Sequence, residues 1–419
     1  MAMVNASVRS VFIPVFEKSV YKDSEVTISI TSPSKLFAWA KTEWPSLTVH
    51  QNQKLYSTFN YGHLDSSITM KKFEKLAVLL TLIVIALVMD GCSGIKNTTT
   101  SRQVVEFAKG ADVGWLTEME AAGIKFYNNN GVPQECMQIL KDKGMNAIRL
   151  RAWVNPQDGW NNTKDVLVKA RRAQRLGMKL MIDFHYSDSW ADPGKQPKPK
   201  AWTNLNFAEM KNALSAYTRG VMDTLKLNGI VPEWVQIGNE TNNGMLWEDG
   251  RASTSMANFA ALIQAGYSAV KAVSSSTQVI VHLSNGYDNG LFRWMFDGLK
   301  ANGAHWDIIG LSVYPTWAPG GVEGWASVNS QCLANMKDMI ARYATPVMIV
   351  EAGMPVHPPA SAKAFLGDLI MKTKSIPDGK GLGVFYWEPE SFNNWKGYGL
   401  GAFDNAGKPT IAMDAFLEK

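Results

Sequence analysis

From residue 107 onward the chain alternates between two hydrophobic patterns. Short runs in which nearly every position is apolar fall at 107–112, 146–154, 179–186, 234–240, 278–286, 307–315, 346–354 and 381–388. Continuous apolar runs, rather than alternating ones, are expected of strands covered on both faces. Between them lie longer stretches with apolar residues three and four positions apart, the pattern of amphipathic helices, at 134–143, 164–176, 207–227, 255–273, 290–301, 327–343 and 360–374. Strands that regularly alternate with helices imply a parallel sheet with helical crossovers. Eight such units in about 310 residues predict an α/β fold of the closed (β/α)8 TIM-barrel type over residues 106–419. An open doubly wound sheet is the alternative. It usually carries a glycine-rich phosphate turn after its first strand, and "KGADVGW" does not match that fingerprint.

The chain ahead of this domain has a different character. Residues 1–69 show no repeat, no catalytic motif and no continuous amphipathic pattern, and they read as a non-domain segment, an upstream artefact or disorder. At 70–92 two lysines precede an apolar run, 76–89, and then Gly91 and Cys92. This is the layout of an export signal, and the run is too short for a comfortable membrane span of about 20 residues. Such a signal belongs at the start of a chain, so Met70 is read as the true start. A signal-anchor with a short cytoplasmic tail is the alternative. Cys92 resembles the lipid-attachment cysteine of bacterial lipoproteins, although Asp90 stands where a small neutral residue is usual. Residues 93–105, rich in Ser, Thr and Asn, read as a linker.

Charge and cysteine content narrow the function. The net charge of +5 is modest for 419 residues, and no concentrated basic run suits nucleic acid. The nearest, "PGKQPKPKAW", interleaves its lysines with prolines and reads as an exposed loop. Three widely spaced cysteines, Cys92, Cys136 and Cys332, give neither a disulfide framework nor a zinc motif. The 15 tryptophans are many, and several stand in polar loops beside Asp, Asn and Gly, where a flat ring can stack on the apolar face of a sugar.

Active sites of such barrels lie at the C-terminal ends of the strands. There the expected strands deliver "RLRAWVNP", "DFHYSDSWADP", "GNE", "HLSNGYDN", "SVYP", "VEAGMP" and "YWEPE". Two runs carry a glutamate straight out of apolar sequence: "WVQIGNE" ends in Glu240, and "VMIVE" ends in Glu351. A carboxylate is costly to bury unless it is paired or used. Both could be salt-bridged struts, but two at matched positions, on strands expected to face each other across a tryptophan-lined cleft, suit glycosidic bond cleavage. One would protonate the leaving oxygen and the other attack the anomeric carbon. Tyr314 and Arg149 are candidates to hold Glu351 ionised. Glu240 is expected to keep its proton near neutral pH. Asn239 is placed to reach a sugar hydroxyl, and Trp387 to form the floor under the sugar. His185 and His282 either meet substrate, orient a glutamate, or are satisfied core histidines, and they form no zinc set. Trp153, Trp190, Trp202 and Trp247 are sugar platforms or loop anchors. "SFNNWKGYGLGAFDN" is a weak candidate for a structural calcium held by carbonyls, and no cofactor is required.

The motifs "KGADVGWLTEMEAAGIKFYNNNG", "NAIRLRAWVNP", "DFHYSDSWADPGKQPKPKAW", "QIGNETNNGMLW", "VIVHLSNGYDNGLFRW", "LSVYPTW" and "GLGVFYWEPE" together resemble glycoside hydrolase family 53, the arabinogalactan endo-β-1,4-galactanases. The resemblance runs in order through almost all of residues 107–419. It implies Glu240 as acid/base and Glu351 as nucleophile, with Arg149, His185, Asn239, His282, Tyr314 and Trp387 around the reaction centre. It further implies a galactan substrate cut internally with retention. Apart from the resemblance, the signal-like segment suggests export, with a membrane met only through lipid at Cys92, and the chain is expected to be a monomer. "AGMP" after Glu351 and "LSNG" after His282 differ from the family's usual residues, which places any individuality of this chain beside the substrate.

Overall fold

The structure, a computed structural model, describes residues 106–418, together with the backbone of 21–22, 25–30, 48–52 and 54–60. The export signal, Cys92 and the linker lie outside the described residues. Strands Tyr21–Lys22, Glu25–Ile30, Thr48–Asn52 and Lys54–Asn60 form an antiparallel four-stranded sheet, where the sequence pattern assigns no element. "EVTISI" is rich in β-branched residues, a composition that suits a strand without needing a long periodic pattern.

Residues 106–418 form a compact unit built on a closed parallel barrel. Its strands are β1 (Ala108–Asp112), β2 (Ala147–Ala152), β3 (Lys179–Phe184), β4 (Trp234–Ile237), β5 (Gln278–Leu283), β6 (Ile308–Val313), β7 (Val347–Ala352) and β8 (Gly381–Trp387). Each pairs with its successor, and β8 pairs with β1 to close the ring. The helices are α1 (Leu116–Ala121), α2 (Cys136–Asp142), α3 (Thr163–Arg175), α4 (Phe207–Leu227), α5 (Met256–Val273), α6 (Asn289–Ala301), α7 (Trp325–Tyr343) and α8 (Pro359–Lys374). All seven expected helices occur, and the short α1 is added. The helix starts are chemically marked: Asn162, Asn206, Ser255 and Asp288 each accept a backbone N–H of the first turn, and Asn206 completes a capping box with Glu209.

The barrel is filled in two layers of opposite chemistry. Toward the N-terminal ends the interior is apolar, with Met181, Trp234, Ile280, Met348 and Phe385 in one cluster. Side chains extend the strand pairing at that rim: Asn146, Glu233 and Asp307 accept the backbone N–H groups of Lys109, Leu180 and Val279 at 2.9, 2.7 and 2.8 Å. Toward the C-terminal ends Asp112, Arg149, Arg151, Asp183, Gln236, His282, Ser312 and Glu351 are all buried. The strand ends are therefore where the sequence stops serving packing.

Two expectations shift. The fourth strand ends at Ile237, not at residue 240, because Gly238 turns to φ 86° and Glu240 itself adopts φ 44°. Left-handed backbone at a non-glycine residue costs about 1–3 kcal/mol, so the turn is held by its surroundings: Thr241 donates from its N to His282 O at 2.9 Å, and Gln196 donates to Asn239 O at 2.8 Å. Second, β4 and β7 are three positions apart in the ring rather than opposite, with β5 and β6 between them.

Closure needs small residues at the seam. A Cβ on Gly383 would lie 2.5 Å from Ala108 Cβ and 2.6 Å from Ala108 O. Gly383→Ala is expected to lower the unfolding free energy by about 1–3 kcal/mol, read by urea denaturation; an unchanged midpoint would show that the seam has slack.

Candidate active site

The polar layer opens into a cleft of about 800 Å³ at the C-terminal rim, lined by Glu240, Glu351, Asn239, His185, Tyr314 and Trp387 among others. Six of the eight residues singled out from sequence therefore line one cavity. The other two, Arg149 and His282, lie fully buried beneath it.

Arg149 is the hub. From β2 it ion-pairs with Asp112 on β1 at 2.7 Å, Asp183 on β3 at 2.9 Å and Glu351 on β7 at 2.7 Å. It also donates to Gln236 Oε1 at 2.7 Å and Asn239 Oδ1 at 3.0 Å. Burial opposes its charge, but the carboxylates of Asp183, Glu351 and Asp112 outweigh it and raise its pKa. Arg149 is thus a permanent cation in the barrel centre.

Its contact with Gln236 orders a second chain of groups. With Oε1 taken by Arg149, the Gln236 amide presents Nε2 to Asp183 Oδ1 at 3.1 Å and to His282 Nδ1 at 3.0 Å. The backbone N–H of Glu240 also donates to His282 Nδ1, at 3.3 Å. Nδ1 is therefore the unprotonated nitrogen, and Nε2 carries the hydrogen. Burial, with Arg149 and His185 adding to it, holds His282 well below its usual pKa, so the ring is neutral. Nε2 donates to Ser312 Oγ at 2.7 Å, and Ser312 donates to Glu240 Oε1 at 2.7 Å. His282 and Ser312 orient Glu240; the sequence reading left this role open for His282 and did not single out Ser312.

His185 belongs to the same scaffold. Its Nδ1 accepts the N–H of Ala191 at 3.2 Å, and its Nε2 meets Asp183 Oδ2 at 3.0 Å. Asn239 donates one amide hydrogen to Ala191 O at 2.9 Å. Its second amide hydrogen is left for the cleft.

The two glutamates differ in their donors. Glu351 accepts from Arg149 at one oxygen and from the Tyr314 hydroxyl at the other, at 3.0 Å. Glu240 accepts only from Ser312, and its Oε2 makes no hydrogen bond to the described residues. Burial pushes Glu240 up to about 7, and it pushes Glu351 well above the ordinary carboxylate range, with the charge of Glu240 adding to the rise. Both carboxyls cannot ionise at once without cost, so they titrate as a pair and share a proton. Two donors, one of them a cation, favour the charged form of Glu351, whereas Glu240 has a single hydroxyl donor and its Oε2 is left to the cleft.

The tryptophans divide. Trp190 and Trp387 line the cleft together with Trp115, which the sequence reading did not single out. Trp153 and Trp202 are buried anchors, and Trp247 packs its ring on Arg251 at 3.8 Å. The "AGMP" and "LSNG" departures do touch the site. A Cβ on Gly353 would meet Tyr314 at 2.8 Å and the Tyr398 hydroxyl at 2.9 Å, and Ser284 lines the cleft and accepts from Asn242 at 2.6 Å. In the segment weighed for calcium, Lys396 ion-pairs with Glu118 at the mouth of the cleft. Among the described residues no three His, Cys, Asp or Glu side chains gather as a metal site. Asp112, Asp183 and Gln236 also escaped notice, although each is a polar residue in or at the end of an apolar run.

A parallel barrel that holds two buried glutamates with unlike donors beside a tryptophan-lined cleft fits a glycoside hydrolase of the paired-carboxyl type. Residues 108–416 match the family model described as glycosyl hydrolase family 53. A probable arabinogalactan endo-β-1,4-galactanase A of Aspergillus terreus is 36% identical over 320 residues, covering 71% of this chain and 89% of that protein. An arabinogalactan endo-β-1,4-galactanase of Cellvibrio japonicus is 33% identical over 349 residues, covering 75% and 87%. A solved fungal β-1,4-galactanase superposes with a TM-score of 0.69 at 28% identity, over 74% of this chain and 99% of that one. The chain belongs to glycosyl hydrolase family 53.

The Ser312 hydroxyl favours the charged form of Glu240. For Ser312→Ala, loss of the acid proton is therefore expected at higher pH, so the alkaline fall of kcat/KM moves up from about 7, by roughly one pH unit for a hydrogen bond to a charged group. A pH–rate profile that does not move would remove Ser312 from the relay.

Proposed function

We propose that this protein is an endo-acting glycosidase that cleaves β-1,4-galactan, the side chain of type I arabinogalactan, with retention of anomeric configuration. The observation that carries the reading is the pair of glutamates with unlike donors, Glu240 and Glu351, within one cleft of a family 53 barrel. Internal cutting and the galactan substrate are supported by the names that the galactanase relatives carry.

The chemistry follows from the donors. Glu351, aimed by Arg149 and Tyr314, attacks the anomeric carbon. As that bond forms the glycosidic C–O bond breaks, and the leaving oxygen takes the proton from Glu240 Oε2. Glu240, now a carboxylate oriented by Ser312, draws a proton from water. The water oxygen attacks the same carbon, Glu351 is released, and Glu240 regains its proton. Retaining enzymes need the two carboxyl groups roughly 5–5.5 Å apart. Residues Ser312 and Glu351 are register partners on adjacent strands, and Ser312 bonds Glu240, which supports such closeness. With its proton lost near pH 7, Glu240 cannot act as acid, so activity is expected to fall on the alkaline side.

Reducing-sugar release should be seen from galactan and not from mannan, xylan or β-glucan, and proton NMR should show the β-anomer first. Release from another glycan alone would overturn the substrate, and an α-anomer first would overturn retention. Glu351→Gln should lose at least about a hundredfold in kcat while still binding galactan; retention of more than that would move the nucleophile elsewhere.

Export and tethering are part of the same reading, supported by the order of lysines, apolar run, Gly91 and Cys92. A cysteine carrying more than one acyl chain binds membranes durably where a single chain does not. Expressed in a bacterial host, the wild type is expected to partition with membranes and Cys92→Ala is not; the same soluble fraction for both would refute the anchor and leave the enzyme assignment intact.

A further inference from the structure

A second arginine, Arg151, lies two residues beyond Arg149 on the same face of β2 and is equally buried. None of the catalytic steps uses it. It ion-pairs with Glu388, which follows β8, and with Asp112 at 3.4 Å. Those pairs engage Nη1 only. Its Nε and Nη2 have no hydrogen-bond acceptor among the described residues. Indole rings surround them instead: the guanidinium carbon lies 4.5 Å from the ring centre of Trp190, 5.2 Å from Trp115, 5.5 Å from Trp153 and 6.0 Å from Trp387. A desolvated guanidinium over indole faces is the strong form of the cation–π contact.

The surroundings are built to place this group. Gly114 is required, because a Cβ there would stand 2.1 Å from Arg151 Nη1. The carboxylates that hold Arg151 also hold the backbone of that turn: Asp112 accepts Gly114 N at 3.0 Å, and Glu388 accepts Trp115 N at 3.1 Å. Buried Lys169 on α3 donates to Gly114 O at 2.7 Å. Three of the four rings, Trp115, Trp190 and Trp387, come from three different segments and meet one another edge-on at 5.1 to 5.8 Å. They form one wall of the cleft. Trp387 ends β8 while Trp115 and Trp190 stand in separate loops, so no common strand sets the three ring planes, and Arg151 is the group they share.

We propose that Arg151 is a positioning residue for glycan binding: its guanidinium sets the tryptophan wall against which the sugar chain stacks. It acts through the indoles and touches neither the substrate nor the reacting atoms. Lysine cannot replace it, since a compact ammonium lacks the plane that meets several rings at once. The proposal rests on the glycosidase reading above. Its test separates the two, because the kinetics are run on whichever glycan the wild type cuts, and wild-type inactivity on galactan would overturn only the substrate.

Arg151→Lys in the full chain keeps the charge opposite Glu388 and Asp112. Its KM is expected to rise about tenfold, on the scale of a desolvated cation–π contact, with kcat within about twofold. Galactan binding to Glu351→Gln should weaken by the same factor when Arg151→Lys is added, and tryptophan emission should shift. A variant that merely folded less well would lose kcat in proportion to its inactive fraction and keep KM. A fall in kcat with KM unchanged, or no change in either, overturns the proposal. Should Arg151→Lys not fold, Trp153→Leu removes from the cation one ring that is not itself in the cleft lining, though it packs on Trp190 at 5.1 Å. It is then expected to raise KM about threefold, and an unchanged KM would equally sink the idea.

Discussion

The structure depends on keeping one guanidinium charged in a place without water. Arg149 has no solvent exposure and holds carboxylates from three strands, an amide from a fourth and the Asn239 amide at the turn that carries the acid. Removing one partner from a buried ion pair typically costs about 3–5 kcal/mol, because the charge left behind has nothing to balance it. The cation and its carboxylates are therefore mutually obligatory. Their presence explains why the upper half of the barrel interior is polar while the lower half packs Met181, Trp234, Met348 and Phe385.

That obligation is also what makes the chemistry possible. A carboxyl in a dry site tends to hold its proton. At Glu351 the Arg149 cation works against that tendency and Tyr314 occupies the second oxygen, whereas Glu240 receives one hydroxyl. The asymmetry is transmitted, not local. Arg149 turns the Gln236 amide, the amide sets the His282 tautomer, and the histidine turns the Ser312 hydroxyl toward Glu240. One buried cation thereby reaches both glutamates, Glu351 directly and Glu240 through the relay. The strained left-handed turn at Glu240 fits the same logic, since its backbone N–H is one of the two donors to His282 Nδ1.

Arg149 and Arg151 divide the upper barrel between them. The first orders the reacting carboxyls and the second the aromatic wall, and both lean on the two oxygens of Asp112. Glu388 adds a further buried acid, pushed up to about 7 mainly by burial. A raised carboxyl pKa means that folding takes up a proton. These groups stabilise most fully below the pKa of the unfolded chain, and that contribution is lost as pH rises through about 7 for Glu240 and Glu388. Alkaline pH therefore weakens the site and the fold together.

The barrel was legible in the sequence because burial on both faces of a parallel sheet leaves an unbroken apolar signature, and eight such runs in alternation with amphipathic helices admit few topologies. Glu240 and Glu351 were legible for the opposite reason, as carboxylates ending apolar runs where packing alone has no use for them. Arg149 and Tyr314 were read as partners of Glu351, and both contact it. The role of His282 was left open, and Ser312 and Arg151 went unread, because their meaning lies in partners 30 to 237 positions away in the chain. Local pattern marks where a polar residue is out of place among apolar neighbours. It does not say which oxygen faces which hydrogen, how far the fourth strand runs before Gly238 turns it, or which tryptophans meet over a cation. Those outcomes depend on contacts that exist only once the barrel has closed.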